Sequence, residues 1–166
     1  ELPEDAVVGQ SAAKAAGLDD VMIEIAITPN RGDCLGVRGV ARDLAAAGYG
    51  TLKPLDFSEE QGSFDSTISW AVDTDEATAC PLVTGVMFRG IQNAPSPEWM
   101  QQRLTAIGQR PIDVLVDITN YIMFDIGRPL HAYDADKIAG DKLIIRNGKK
   151  GERLTALNEK TYELDD

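Results

Sequence analysis

The 166-residue sequence contains one histidine, two cysteines and no long apolar run. Cys34 and Cys80 stand far apart, with no CxxC pair and no histidine near either. That pattern excludes a zinc site from the expected chemistry and fits a reduced, cytosolic protein. Every apolar stretch is broken by Gly, Glu or Asp before it could span a bilayer, so no membrane segment is expected. The opening residues Glu1-Leu2-Pro3-Glu4-Asp5 lack the features of a signal peptide, and both ends read as cuts through a longer chain. Positive charge is also scarce, with 16 basic against 27 acidic residues and a net charge of −11. This excludes broad binding to a nucleic-acid backbone, which needs a positive surface, and leaves open a pocket for the end of an RNA. There is no Walker loop and no serine in a nucleophile elbow. Neither cysteine has a local partner that would activate it.

What is present is an ordinary globular composition, 43% hydrophobic, and a chain long enough for one medium domain or somewhat more. Met22 to Ile27 alternates, with Ile23, Ile25 and Ile27 on one side, and reads as a strand with one buried face. Thr28-Pro29-Asn30-Arg31-Gly32 breaks it. Asp33 is a suitable N-cap for a helix to about Ala47, with Val37, Val40, Ala41 and Leu44 as its apolar stripe and Gly48 as its stop. Gly36 and Gly39 each cost a helix interior roughly 1 kcal/mol relative to Ala, which predicts close packing against another backbone. Arg31-Gly32-Asp33 matches a cell-adhesion tripeptide, but helix initiation is the reading the context favours. The corner Thr28-Pro29-Asn30-Arg31 reads as a structural polar knot in which Asn30 and Arg31 bond loop carbonyls.

Residues 53–66 are acidic and turn-rich and read as a linker between a segment 1–52 and a segment 67–166. The acidic residues Asp56, Glu59, Glu60, Asp65, Asp73, Asp75 and Glu76 read as solvated. Ile68 to Val72 and Leu82 to Arg89 are predicted strands. Ser96-Pro97-Glu98 predicts a helix start with Ser96 as N-cap, a stripe of Met100, Leu104 and Ile107, and a stop at Gly108. Asp113 predicts a second cap, with Leu115, Ile118 and Ile122 on the buried face and Gly127 after the end. A short helical turn is expected after Asp134. Lys142 to Arg146, Glu152 to Leu157 and Thr161 to Leu164 are predicted strands, with a turn at Asn147-Gly148. The fold class expected is α+β, with mixed, mostly antiparallel sheets and a few packed helices.

The densest polar constellation is Asp117-Ile118-Thr119-Asn120-Tyr121 followed by Gly127-Arg128-Pro129-Leu130-His131-Ala132-Tyr133-Asp134. Thr119 and Asn120 fall within a predicted helix that neither favours. His131 is the only histidine. Asn offers a donor and an acceptor, Thr a hydroxyl, and His a switchable pair. Such groups on an apolar frame could bind and orient a substrate and a water, without an activated nucleophile. A lone histidine beside Pro and Leu is also an ordinary structural residue.

Ile25-Ala26-Ile27-Thr28-Pro29-Asn30-Arg31-Gly32-Asp33-Cys34-Leu35 with Gly39-Val40-Ala41-Arg42-Asp43, Ser96-Pro97-Glu98-Trp99-Met100, and Val116 to Tyr121 with Pro129 to Asp134 together resemble the bacterial phenylalanyl-tRNA synthetase β subunit. The resemblance runs in order over nearly the whole chain. It implies that residues 1–52 are the returning half of that chain's first domain and that residues 67–166 open its editing region. It further implies a tetramer of two α and two β chains in the cytoplasm, with aminoacylation, ATP and Mg²⁺ on the complete enzyme and no cofactor in this part. The implied partners are the α subunit and the 3′ end of tRNA(Phe). The implied reaction is hydrolysis of tyrosine wrongly esterified to that tRNA, with Thr119, Asn120 and His131 lining the pocket and no catalytic or metal-binding residue assigned. The family's glycine-rich stretch and its tyrosine-recognising glutamate fall beyond Asp166. Cys80-Pro81 is followed here by Leu82-Val83, where the family often has Arg-Tyr, and Leu157-Asn158-Glu159 replaces a commoner Asp-Gly turn. A structural or tRNA-docking module without chemistry of its own is the alternative. A freestanding editing hydrolase fits less well, because Thr28 to Gly48 resembles the synthetase's own first domain.

Overall fold

A computed structural model describes residues 4–58, 61–74, 80–156 and 158–165. Their contacts form two compact units, Glu1–Ser58 with Ile91–Ala132, and Glu59–Gly90 with Tyr133–Asp166. The class is α+β: four helices and two small two-stranded sheets among the described residues.

The first unit is helical. It holds α1 (Ala12–Ala15), α2 (Val37–Ala46), α3 (Glu98–Ala106) and α4 (Val114–Ile126), and α4 packs on both α2 and α3. Helix α2 starts later than its sequence suggests. A 3₁₀ turn, Gly32–Cys34, comes first, and the N-cap position is Gly36, in an extended conformation. Asp33 does not cap, because its carboxylate is already bonded by Arg31 and Arg42. The two glycines have the close contacts their cost predicts. A β-carbon on Gly36 would lie 2.5 Å from the Gly127 nitrogen, and one on Gly39 would collide with the Asp33 carbonyl. At the other end Gly48, at φ +84°, closes the helix. The Tyr49 and Gly48 amides donate to the Leu44 and Ala45 carbonyls, satisfying acceptors the last turn leaves open.

Helix α3 buries Met100 and Leu104 as predicted, whereas Ile107 is exposed. Gly108 stops it with the same pair of closing bonds, Gly108 and Gln109 donating to Thr105 and Leu104. Its N-cap is Pro97 rather than Ser96. The Ser96 hydroxyl donates instead to Asp117 at 2.5 Å, a buried carboxylate that needs a partner more than an exposed helix end does. Helix α4 is capped by Asp113 and closed by Gly127, as the sequence predicts. Its buried face differs. Leu115 and Ile118 are exposed, and Asp117 is the α4 side chain that is fully enclosed. Met22 to Ile27 forms no strand, and Ile23 and Ile25 are exposed. No described segment pairs with it, and an alternating run without a partner has no ladder.

The second unit carries the sheets. Strands β1 (Ser69–Asp73) and β2 (Lys142–Arg146) pair in parallel, Ala71 opposite Ile144. The mostly antiparallel pairing expected gives way here because the connection is a long crossover, not a hairpin. Strands β3 (Arg153–Thr155) and β4 (Thr161–Glu163) pair antiparallel, Leu154 opposite Tyr162. Leu157, the last residue of the predicted strand Glu152–Leu157, lies outside the described residues. The turn before β3 falls at Lys149–Glu152, with Gly151 at φ +77°, and not at Asn147-Gly148. Leu82 to Arg89 makes no ladder. Gly85 lies against the Trp70 indole where a β-carbon would collide, and the Arg89 guanidinium sits 4.2 Å above the Phe64 ring. Asp56, Asp65 and Asp73 are exposed as expected, while Glu59, Glu60, Asp75 and Glu76 lie outside the described residues.

Candidate functional site

The first backbone amides of a helix have no partner inside it. In α4 the first three find partners outside the helical ladder, and the fourth makes the first i→i−4 bond. Val114 donates to the Ala94 carbonyl at 2.8 Å, Leu115 to the Asn93 side chain at 3.5 Å, Val116 to the Asp113 carboxylate at 3.0 Å, and Asp117 to the Asp113 carbonyl at 2.8 Å. The Val116 amide is also the main reason the Asp113 carboxyl is held below its ordinary range. Asp117 reaches back the other way. One of its oxygens accepts from the Ile112 amide at 2.9 Å and the other from the Ser96 hydroxyl at 2.5 Å. The two carboxylates thus serve different amides at the helix start, Asp113 that of Val116 inside the helix and Asp117 that of Ile112 before it. The helix that carries Thr119 and Asn120 is therefore fixed at its N-terminus by hydrogen bonds to the Asn93–Ser96 and Ile112–Asp113 segments.

Thr119 and Asn120 are partly exposed neighbours on α4. Thr119 turns its hydroxyl back onto the Val116 carbonyl at 2.7 Å, which resolves the local conflict of a threonine inside a helix. The hydroxyl oxygen retains acceptor capacity. Asn120 makes no side-chain hydrogen bond to the described residues, so its amide presents a donor and an acceptor. His131 belongs to the same unit, exposed on the segment after Gly127. Tyr133 and Asp134 fall in the second unit, where Asp134 accepts from the Asp136 amide and starts the expected short turn, Ala135–Lys137. Among the described residues of the first unit, two cavities stand out. One, of about 380 Å³, is lined by Val37, Leu44, Tyr49, Leu52 and Ile126 among others, and one, of about 230 Å³, by Ile25, Ile27, Thr28, Arg31 and Cys34 among others. Neither is lined by Thr119, Asn120 or His131.

The knot at Arg31 is built on carboxylates rather than the loop carbonyls expected. The Arg31 guanidinium bonds Asp33 at 3.0 and 3.1 Å, Asp43 at 2.5 Å and the Cys34 sulfur at 2.8 Å, and Arg42 pairs with Asp33 as well. Arg31 holds the Asp33 carboxyl down at about 2, and the two carboxylates raise the Arg31 pKa in turn. Burial pushes the Cys34 thiol up, which keeps it a thiol and not a nucleophile. Asp33, Cys34 and Asp43 have ligand atoms close enough together for a metal, but the arginines already neutralise the carboxylates, so the cluster does not fit one.

Two features of this unit escape a reading of the sequence. Asp117 is hidden by the stripe of Leu115, Ile118 and Ile122 around it. Arg103 donates to the Tyr121 hydroxyl at 2.6 Å and lies over the Trp99 ring, which meets Tyr121 edge-on, a clasp between α3 and α4. The spacing of Trp99 and Arg103, one helical turn apart, is its visible signal.

A family model described as the B3/4 domain matches residues 79–166, just over half of the chain. Beta subunits of phenylalanine–tRNA ligase match nearly all of it. Those of Bartonella henselae and Zymomonas mobilis are each 54% identical over 165 residues, and that of Gluconobacter oxydans is 49% identical over 164. These matches cover 99% of this chain and 20% of each relative, so the chain spans about a fifth of their length. By this likeness the chain belongs to the B3/4 domain family and is homologous to the beta subunits of phenylalanine–tRNA ligase.

Proposed function

We propose that this chain supplies one wall of an editing site that hydrolyses Tyr-tRNA(Phe), with Thr119, Asn120 and His131 placed against the aminoacyl ester and the terminal adenosine. The observation that carries the reading is the pair Thr119–Asn120, polar groups side by side on a helix whose N-terminus is bonded at every amide. A rigid element is what a site needs when it must orient an ester and a water. The Asn120 amide can donate to an ester or ribose oxygen and accept from a hydroxyl, and His131 can exchange a proton or orient a water. The chemistry assigned is positioning, with no covalent intermediate.

The need for such a site follows from the substrates. A hydrophobic pocket rejects an analogue that adds a hydroxyl by only about a hundredfold, and Tyr differs from Phe by that group. In this reading residues 1–52 return to a first domain, 53–66 link, and 67–166 open the editing region of a cytoplasmic β chain. Aminoacylation belongs to the α subunit in a tetramer of two α and two β chains, and ATP and Mg²⁺ serve that reaction. The chain on its own is expected to hydrolyse Tyr-tRNA(Phe) poorly, since Thr119 and Asn120 are partly exposed and His131 is exposed rather than enclosed in a pocket. Binding of a nonhydrolysable tyrosyl-adenosine analogue to the complete enzyme, measured by calorimetry, tests the reading. Weaker binding by Asn120→Ala and by His131→Ala is expected, and unchanged affinity in both would sink the assignment.

A further inference from the structure

We propose that Asp117 is a positioning residue for the proposed editing site, on whose assignment this role rests, and that it acts through Asn120. Asp117 is fully enclosed, at 0% exposure, and its hydroxyl partner Ser96 is 5% exposed. Its carboxylate ties three segments together: the stretch before α3 through Ser96, the stretch before α4 through Ile112, and α4 itself. A helix packed only through apolar side chains can rotate slightly about its axis, because such contacts have no direction. Two hydrogen bonds on one carboxylate have direction and fix that rotation. Asn120 follows Asp117 by three residues, so it lies one turn along on the same side of α4. The carboxylate below Asn120 is the buried one of several directional bonds on α4, beside those of Val114 to Ala94 and Arg103 to Tyr121, and it lies nearest in the helix to Asn120 among the buried anchors. The bond to Ser96 also explains why the residue before Pro97 gives up its usual place as a cap.

The geometry calls for the shape of the carboxylate more than for its charge. An asparagine can accept from Ile112 with its oxygen and donate to the Ser96 oxygen with its amide, because a hydroxyl both donates and accepts. The test uses the complete enzyme of α and β chains, with Ser96→Ala, Asp117→Ala and Asp117→Asn in the β chain. Deacylation of Tyr-tRNA(Phe) and charging with phenylalanine are both measured under steady-state conditions. Ser96→Ala and Asp117→Ala should lower kcat for deacylation by roughly tenfold to a hundredfold, the scale of a misplaced group, with KM and charging unchanged. Asp117→Asn should restore deacylation close to wild type. Wild-type deacylation in both alanine variants would overturn the proposal. So would a parallel loss of charging in all three variants, which marks a merely structural role, or an inactive Asp117→Asn with intact charging, which marks a role for the charge. Asn120→Ala, run beside them, separates the two readings: if it too leaves deacylation intact, the site assignment fails rather than the positioning role alone.

Discussion

The backbones of Gly36 and Gly127 meet where α2 and α4 pack. A β-carbon on Gly36 would lie 2.5 Å from the Gly127 nitrogen and 3.1 Å from the Asp125 carbonyl oxygen. Both neighbours are backbone, so neither can swing aside. Gly36→Ala should destabilise the first unit by roughly 1–3 kcal/mol, the range for overpacking a close contact. Urea unfolding followed by circular dichroism checks this. Gly50→Ala, where a β-carbon would meet nothing within 4 Å, should leave the midpoint nearly unchanged, and equal shifts in the two variants would contradict the packing account.

Leu104 is the largest apolar side chain fully enclosed among the described residues, at 1% exposure. It lies on α3, which packs on α4. Leu104→Ala removes apolar contacts and leaves a cavity, at a cost of about 2–5 kcal/mol. Ile107→Ala, just past the end of the same helix and exposed, should shift the unfolding midpoint far less.

Arg146 forks onto Glu152 at 2.6 and 2.9 Å, and the Lys149 amide donates to the same carboxylate at 3.1 Å. Arg146, more than the amide, holds the Glu152 carboxyl at about 2, below its ordinary 4.5. A depressed carboxyl stabilises the fold above its unfolded value and ceases to do so as pH falls through its folded value. The contribution of this pair should therefore be complete above about pH 4.5 and lost towards pH 2. Carbon-detected NMR titration of Glu152 reads it directly. Arg146→Ala should return the midpoint toward the ordinary range, and an unmoved midpoint would show that the guanidinium is not what lowers it.

Glu159 sits at φ +63° in the turn between β3 and β4, a conformation that disfavours a residue with a β-carbon. Glu159→Gly should stabilise the hairpin by roughly 0.5–1 kcal/mol. A higher melting temperature without a change in secondary structure is the expected result, and a lower one would show that the side chain contributes more than the backbone strain removes.

The C-terminal helix ends are the most legible part of the sequence, because their signals are local, whereas of the three expected N-caps Asp113 alone holds. Asp113 and Gly127 bound α4, and Gly48 and Gly108 close α2 and α3, each through bonds to residues within one turn. Gly39 likewise announces close packing through the penalty it imposes on a helix interior, whereas Gly36 stands at the N-cap and owes its close contact to Gly127. Pairing is less legible. Met22 to Ile27 has the alternation of a strand and Leu82 to Arg89 a strand-like apolar composition, but a ladder depends on a partner that the segment itself does not encode. Thr119 and Asn120 stand out because they are poor helix formers placed in a helix. Asp117 does not, since its partner Ser96 is distant in sequence and itself resembles a cap.

The most direct measurement of the central claim is the rate at which the complete enzyme deacylates Tyr-tRNA(Phe) when His131 or Asn120 is replaced by alanine. Both variants should hydrolyse the mischarged tRNA at least several-fold more slowly than wild type, with charging by phenylalanine preserved. Wild-type rates in both would contradict the account and leave a structural or tRNA-docking role for this part of the chain.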